Sequence, residues 1–386
     1  MRSGKTLRTL VSTLANALTT LGPQLVAIAL LQPADFGQFS LAYLAFALGS
    51  SLMLSLVAEA VDWSRSPVAT TNYLEAAAWV ALLVAPCAAL LALATGSGPL
   101  TAALLGTATF FATYRVGARY LEVGTGNIRV ATAADLGGAL ALAVCVALGI
   151  AMRTDGPVLV AAAWATSGLA AGVLGRRPRL TGPTLLGRWW HANGARARIL
   201  LKDSLVLDTS SIGTPYIVAP LLGVAGFGIY RAISNVAAPV RLLLNPLRPL
   251  IARRSIDRLL SPALFGAVLG ASALAGGAAT ACLHVLTMID LDIGVLTATA
   301  VYAVPAGLFV AASLAGHYLY LVARSHTDGT TLWRGRLIQS GVALVVPVLG
   351  AISRNLDVAI WSYVIATVVG AVTWGALVAH RRGGDA

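Results

Sequence analysis

Lysine occupies only two of the 386 positions, Lys5 and Lys202, and charged residues of both signs make up 11% of the chain. Soluble proteins carry roughly a quarter charged residues, so a water-soluble globular protein is excluded. Cysteine is equally scarce. Cys87, Cys145 and Cys282 each fall inside an apolar run, which points to neither a disulfide framework nor a metal site. The five histidines (His191, His284, His317, His326, His380) lack metal-ligand spacing. The inner loops carry neither a phosphate loop nor a paired-carboxylate motif, and the outer loops are all too short to build a catalytic ectodomain. Nothing therefore nominates a catalytic residue, a metal or a cofactor. The 15 acidic residues are outnumbered by 27 basic ones, giving a net charge of +12. In a membrane protein that excess belongs to cytoplasmic loops, so no nucleic-acid partner is expected.

What the chain does have is apolar sequence, 58% of it, with a mean hydropathy of +0.81. A helix crossing a bilayer needs about 20 largely apolar residues. Twelve such spans are predicted: 9–31, 36–58, 74–95, 100–121, 131–152, 157–175, 203–222, 227–249, 260–285, 293–316, 337–353 and 358–379. Turn signals such as "QPADFG", "TGSGP", "RTDGP" and "SRNLD" divide them. The eleventh is short and holds Pro347, so its full crossing stays open. The first run is too long for a signal-peptide core and no small-residue cleavage site follows it, so it is expected to remain as a helix. The expected class is an all-α integral membrane protein.

The basic residues orient the spans. With the N-terminus inside, 22 of the 27 fall in inner segments, seven of them between residues 176 and 202. The outer loops hold only Arg153 and Arg354, while Arg231, Arg241 and Arg248 lie in the eighth span. The positive-inside rule then places both termini in the cytoplasm. Scarce lysine beside abundant alanine and glycine fits a GC-rich bacterial genome, so the expected location is a bacterial plasma membrane.

Two stretches repeat. "LLQPADFGQF" at 30–39 and "LLGVAGFGIY" at 221–230 share Leu30/Leu221, Leu31/Leu222, Ala34/Ala225, Phe36/Phe227 and Gly37/Gly228, with Phe39 opposite Tyr230. The offset of 191 is close to half the chain. Each stretch joins the first helix of a six-helix set to the second, at the outer face. The prediction is a parallel repeat about an axis along the membrane normal. Residues 1–175 form an N-terminal six-helix lobe, 176–202 a basic cytoplasmic inter-lobe loop, and 203–386 a C-terminal six-helix lobe. The loop contains "RWWH", and basic residues beside paired tryptophans suit a segment lying on anionic lipid headgroups.

"LLQPADFGQFSLAY", with "GFGIYRAISNVAAPVRLLLNPLRPLIARR", resembles Wzx-type polysaccharide-biosynthesis flippases of the multidrug/oligosaccharidyl-lipid/polysaccharide exporter superfamily. The resemblance extends over the whole length through the helix count and the parallel halves. It implies a pair of six-helix lobes arranged as a V, with helices 1, 2, 7 and 8 around a central cavity. It also implies a transporter, not an enzyme. The implied substrate is a polyprenyl-pyrophosphate-linked oligosaccharide, carried from inner to outer leaflet for cell-surface polysaccharide assembly. Membrane lipids and other polysaccharide-assembly proteins are the further partners it implies. Drug-cation antiporters share the architecture, so a cation-coupled small-molecule antiporter stays open. A membrane-embedded sugar polymerase or ligase is the alternative from another class, although such proteins usually carry a long outer loop.

The residues of the eighth span favour an anionic substrate. Arg231, Ser234, Asn235, Arg241, Asn245 and Arg248 fall within an arc of roughly 140° at 100° per residue. Guanidinium groups bind phosphate oxygens bidentately. Arg231 and Arg248 lie near opposite interfaces, where snorkelling explains each equally well; Arg241 is deeper. Ser12, Asn16, Thr20 and Gln24 climb the first helix at i, i+4 spacing, either as a hydrophilic cavity wall or as interhelical hydrogen-bonding groups. Asp208 is an acid inside the seventh span, able to bind a coupling cation or to pair with an arginine, the pair being preferred. Arg115, Arg119 and Glu122 share one side of the fourth helix and read as an ion-pair ladder. The candidate substrate residues are thus Arg241, Arg231, Arg248, Asn235, Asn245, Asn16 and Gln24.

Overall fold

The computed structural model describes residues 2–61, 70–180, 182–238, 244, 251, 254–289 and 292–384. Among these residues every regular element is helical. The chain divides into two compact units, Met1–Asp208 and Thr209–Ala386.

Unit 1 comprises α1 (Arg2–Leu30), α2 (Pro33–Met53) with a π-helical turn at Leu54–Ala58, α3 (Thr70–Ala94), α4 (Pro99–Gly124), α5 (Ile128–Ala151), α6 (Gly156–Leu174) and α7 (Pro183–Asp208). Unit 2 begins with a second π-helical turn, Thr209–Gly213, followed by α8 (Thr214–Val236) and a single turn at Ile256–Leu259. Then come α9 (Pro262–Met288), the short stretch Gly294–Tyr302 leading into α10 (Ala303–His326), α11 (Gly329–Ile352) and α12 (Leu356–Gly384). Proline occupies the first turn of α2, α4, α6, α8 and α9, where its missing N–H leaves no helical bond unmade.

Ten helical segments among the described residues are long and apolar enough to cross a bilayer. The protein is a multi-pass membrane protein. α4 is not among the ten, because Thr101, Thr107, Thr109, Thr113 and Arg115 dilute its apolar run. Thr209–Val236 counts once, yet Gly223 breaks it with φ 72 and ψ 165. That break separates the expected seventh and eighth spans; α8 ends at Val236, and positions 239–249 of the expected eighth span, apart from 244, lie outside the described residues. The eleventh span is longer than expected: α11 is a 24-residue helix that continues through Pro347, or about 36 Å at 1.5 Å per residue.

The two units repeat one another internally. Gln32, between α1 and α2, has φ -69 and ψ 161; Gly223, 191 positions later, has φ 72 and ψ 165. After each break an aromatic pair stacks inward. Phe36 and Phe39 have ring centroids 6.3 Å apart, Phe227 and Tyr230 6.4 Å. Phe36 and Phe227 are both fully buried. A ring from the last α-helical hairpin of each unit closes on the pair: Trp164 of α6 lies 5.6 Å from Phe39, and Tyr363 of α12 lies 4.9 Å from Tyr230. In unit 1, α3 packs on α4, α4 on α6 and α5 on α6. In unit 2, α9 packs on α10, α10 on α12 and α11 on α12. The α9–α10 contact is backbone-close, since a methyl on Gly276 would come 2.6 Å from the Gly307 carbonyl oxygen.

Residues 183–202 are helical, as the start of α7, and belong to unit 1. Trp189 is buried with Tyr73, Leu74 and Met53, and its indole N–H donates to the Leu56 carbonyl at 3.2 Å. Trp190 is exposed and carries the Arg198 guanidinium 5.5 Å from its ring centre. The two neighbouring tryptophans therefore divide their roles, one anchoring the helix in the lobe and one facing outward.

Candidate functional site

The polar stripe of α1 faces the interior of unit 1. Ser12 and Gln24 are buried. Arg119 donates from Nη2 to both the carbonyl and hydroxyl oxygens of Ser12, at 3.2 Å each. The Thr20 carbonyl accepts from the Tyr43 hydroxyl at 2.9 Å, and the Thr19 hydroxyl lies 2.7 Å from the Asp135 carbonyl oxygen. Asn16, Thr19 and Thr20 line a cavity of about 30 Å³ with Arg115, Asp135 and Ser167. That is room for roughly two water molecules. The Ser167 hydroxyl is buried there without a hydrogen-bond partner among the described residues.

Beside the cavity lies a closed set of charges. Arg115 donates to Glu122 Oε2 at 2.7 Å, to Asp135 Oδ1 at 3.0 Å and to the Ala131 carbonyl at 2.9 Å. Arg119 reaches the other Asp135 oxygen at 2.8 Å. Glu122 also accepts from the Arg176 backbone N–H at 3.2 Å. The ladder expected within α4 is thus a network of two cations and two anions across α4 and α5, with its ends on α1 and the chain after α6. Asp135 was not singled out in the sequence. Its signal was an acid inside an apolar spanning run, which is costly unless partnered. Glu75 was also passed over; it is 1% exposed and accepts from the Gly182 N–H at 2.7 Å.

Asp208 ends α7, which packs on the π-helical turn of α2. Ser51 hydrogen-bonds its carboxylate, and the Ser55 and Ser204 hydroxyls meet one another. Oδ2 of Asp208 is buried with no hydrogen-bond partner among the described residues. π-helical turns place side chains off the α-helical register and recur at functional sites.

In unit 2, Arg231 and Asn235 are half-buried, one turn apart on α8. The Arg231 guanidinium donates to the Ser234 hydroxyl at 3.1 Å. The Asn235 amide nitrogen is buried with no partner among the described residues. Arg241, Asn245 and Arg248 lie outside the described residues. No group of three His, Cys, Asp or Glu side chains among the described residues could hold a metal ion.

No family model matches the sequence, and no curated protein matches it. Solved structures do match. An inward-facing multidrug resistance MATE family transporter of the MOP superfamily is 13% identical, with 96% of each chain covered and a TM-score of 0.62. The lipid II flippase MurJ, in an inward closed conformation, is 9% identical over 95% of this chain and 86% of the other, with a TM-score of 0.61. MATE in its bent conformation is 13% identical over 97% and 94%, with a TM-score of 0.53. The chain thus has the all-α, two-lobed fold of MOP-superfamily transporters.

Proposed function

We propose that the protein is a flippase that carries a polyprenyl-pyrophosphate-linked oligosaccharide from the inner to the outer leaflet by alternating access. The observation that carries this reading is the cationic polar face of the eighth span. It starts with Arg231, Ser234 and Asn235 on α8 and continues in sequence through Arg241, Asn245 and Arg248. Were the helix to continue from residue 227 at 1.5 Å per residue, as the sequence leads one to expect, Arg241 would stand about 21 Å into the membrane. A lipid-facing arginine at that depth costs about 2.5–3.5 kcal/mol on insertion scales. A hydrated wall that binds phosphates gives the arginine an anionic partner in place of that cost. Fold likeness to a protein named as a lipid II flippase supports the same reading.

Arg241→Ala, reconstituted in liposomes, is expected to lower flipping of the lipid-linked oligosaccharide by about tenfold or more, with expression unchanged. Arg241→Lys recovers only part of the rate, because a point charge replaces a planar fork. Wild-type flipping by Arg241→Ala would overturn the assignment.

One observation favours a second reading, a cation-coupled small-molecule antiporter. Asp208 presents a buried carboxylate oxygen that no described residue satisfies, as a coupling-cation site requires. Deleting the protein separates the two. A flippase leaves an oligosaccharide-lipid accumulating on the inner leaflet, whereas an antiporter alters resistance to cationic drugs and leaves lipid intermediates unchanged.

A further inference from the structure

The cavity of about 30 Å³ inside unit 1 gathers polar side chains from four helices. Asn16, Thr19 and Thr20 come from α1, Arg115 from α4, Asp135 from α5 and Ser167 from α6. Ser167 is 1% exposed, and its hydroxyl has no hydrogen-bond partner among the described residues. A helical hydroxyl can bond the carbonyl one turn back, as Thr19 does with Ala15 at 2.9 Å. Ser167 does not, and a buried hydroxyl left unbonded is costly. Capacity remains on the facing wall as well. The Thr19 hydroxyl is within reach of two carbonyls, Ala15 and Asp135, but has one hydrogen to give, so its oxygen can still accept. Arg115 makes four bonds, to Asp135 twice, to Glu122 and to the Ala131 carbonyl, which leaves one of its five N–H donors.

Size, polarity and charge together select the occupant. The space suits about two water molecules, and a buried water needs roughly two to four polar partners. The lining supplies them: the Ser167 hydroxyl, the Asn16 amide, the Thr19 oxygen and the remaining Arg115 donor. A small cation fits the same space but not the same charge. Arg115 and Arg119 are already matched by Glu122 and Asp135. A sodium ion would therefore add an uncompensated charge beside a buried guanidinium, which is expensive. An apolar occupant would leave the Ser167 hydroxyl unbonded. Water alone satisfies the hydroxyl and keeps the charges balanced.

We propose that this cavity is a binding site for structural water, which joins Asn16 of α1 to Ser167 of α6 and extends the charge network across unit 1. A water bridge is nearly as strong as a direct hydrogen bond, so the site fastens α1 to a helix on the far side of the cavity. It lies wholly within unit 1 and does not depend on the identity of the transported molecule.

Full-length protein in lipid nanodiscs is pulsed with synchrotron X-rays, and side-chain oxidation is read by mass spectrometry. Hydroxyl radicals made from a bound water label the side chains around it. Trp164, which lines the cavity, is 2% exposed, and Trp374, in the packed core of unit 2, is 1% exposed. Exposure alone would label both equally slowly. With water bound, Trp164 is expected to oxidise about tenfold faster than Trp374. Ser167→Val, which puts methyl groups in place of the hydroxyl, is expected to abolish that difference. Ser167→Ala is read by thermal unfolding. Removing a hydroxyl that had no partner would raise the melting temperature, whereas removing a partner of bound water is expected to lower it by about 2 °C. Equal oxidation of the two tryptophans in the wild type, or a higher melting temperature for Ser167→Ala, would overturn the proposal in favour of a dry cavity. Trp164 oxidation is expected to be the same in sodium chloride and in choline chloride. Slower oxidation in sodium would identify a cation as the ligand and overturn it too.

Discussion

In unit 1 four charges cancel, three of them buried and Arg119 partly so: Arg115 and Arg119 against Glu122 and Asp135, all within hydrogen-bonding distance. In unit 2 two arginines meet on the neutral oxygen of Tyr320. Yet the same units match where they are apolar, through Phe36, Phe39 and Trp164 in one and Phe227, Tyr230 and Tyr363 in the other. The comparison separates what a duplicated lobe must keep from what it can change. Aromatic packing at the first turn and the order of helix contacts hold each lobe together, so they recur. Polar chemistry is placed once. A balanced network locks one lobe from within, and the other gathers two arginines on a neutral phenol oxygen.

The largest effect that would test this contrast is at Asp135. Asp135→Asn leaves buried Arg115 and half-buried Arg119 with one carboxylate between them. Breaking a buried ion pair by removing one partner costs about 3–5 kcal/mol. We expect most of the variant to be lost from the monodisperse peak in size-exclusion chromatography after mild heating. Arg336→Gln in unit 2 is expected to run like the wild type. If Asp135→Asn is as heat-resistant as the wild type, the network does not lock the lobe.

The next effect is at the twin breaks. Gly223 sits at φ 72 and ψ 165, a region that only glycine populates freely. Gly223→Ala is expected to cost about 1–3 kcal/mol. Gln32, its counterpart at φ -69 and ψ 161, has a backbone that any residue adopts, and Gln32→Ala is expected to leave the melting temperature nearly unchanged. The repeat fixes the position of the turn and leaves its backbone hand free. Equal melting temperatures for the two variants would contradict that difference.

The break at Gly223 was legible because the two decapeptides align without a gap and both follow an apolar run. The helices were legible for the same reason: uninterrupted apolar sequence has one solution in a bilayer. The helical course of residues 183–202 was not, because charge dominated the reading. Trp189 docks among Tyr73 and Met53, a tertiary contact that no local pattern encodes. The network was half legible. Arg115, Arg119 and Glu122 share a helix face, so spacing brought them together, whereas Asp135 comes from the next helix, where spacing within α4 says nothing. Arg336 belongs to a different helix from Tyr320 and Arg324, and their meeting was missed on the same ground. The remaining ends moved because helices ignore the edge of the apolar run: α10 continues ten residues past the expected end at 316, through "HYLYLVARSH".

The smallest effect asks whether the matching extends to the turns at the far end of each repeat. Arg153, after α5, has φ 54, and Arg354, after α11, has φ 55. These are the two arginines of the expected outer loops. Each is the second residue beyond a helix, just after the C-cap, with its N–H bonded back, to Ile150 at 3.1 Å and to Ala351 at 2.9 Å. Glycine usually holds that left-handed position, because an L side chain costs about 1–2 kcal/mol there. Arg153→Gly and Arg354→Gly remove that cost, and the looser unfolded chain of a glycine offsets part of the gain. Each is therefore expected to stabilise the protein by about 0.5 kcal/mol, read as a rise in thermal unfolding temperature followed by tryptophan fluorescence. The two rises should be equal, since the two φ angles agree within one degree. A gain at one turn and a loss at the other would mean that one arginine makes a favourable contact its counterpart lacks. The duplication would then stop at the apolar core.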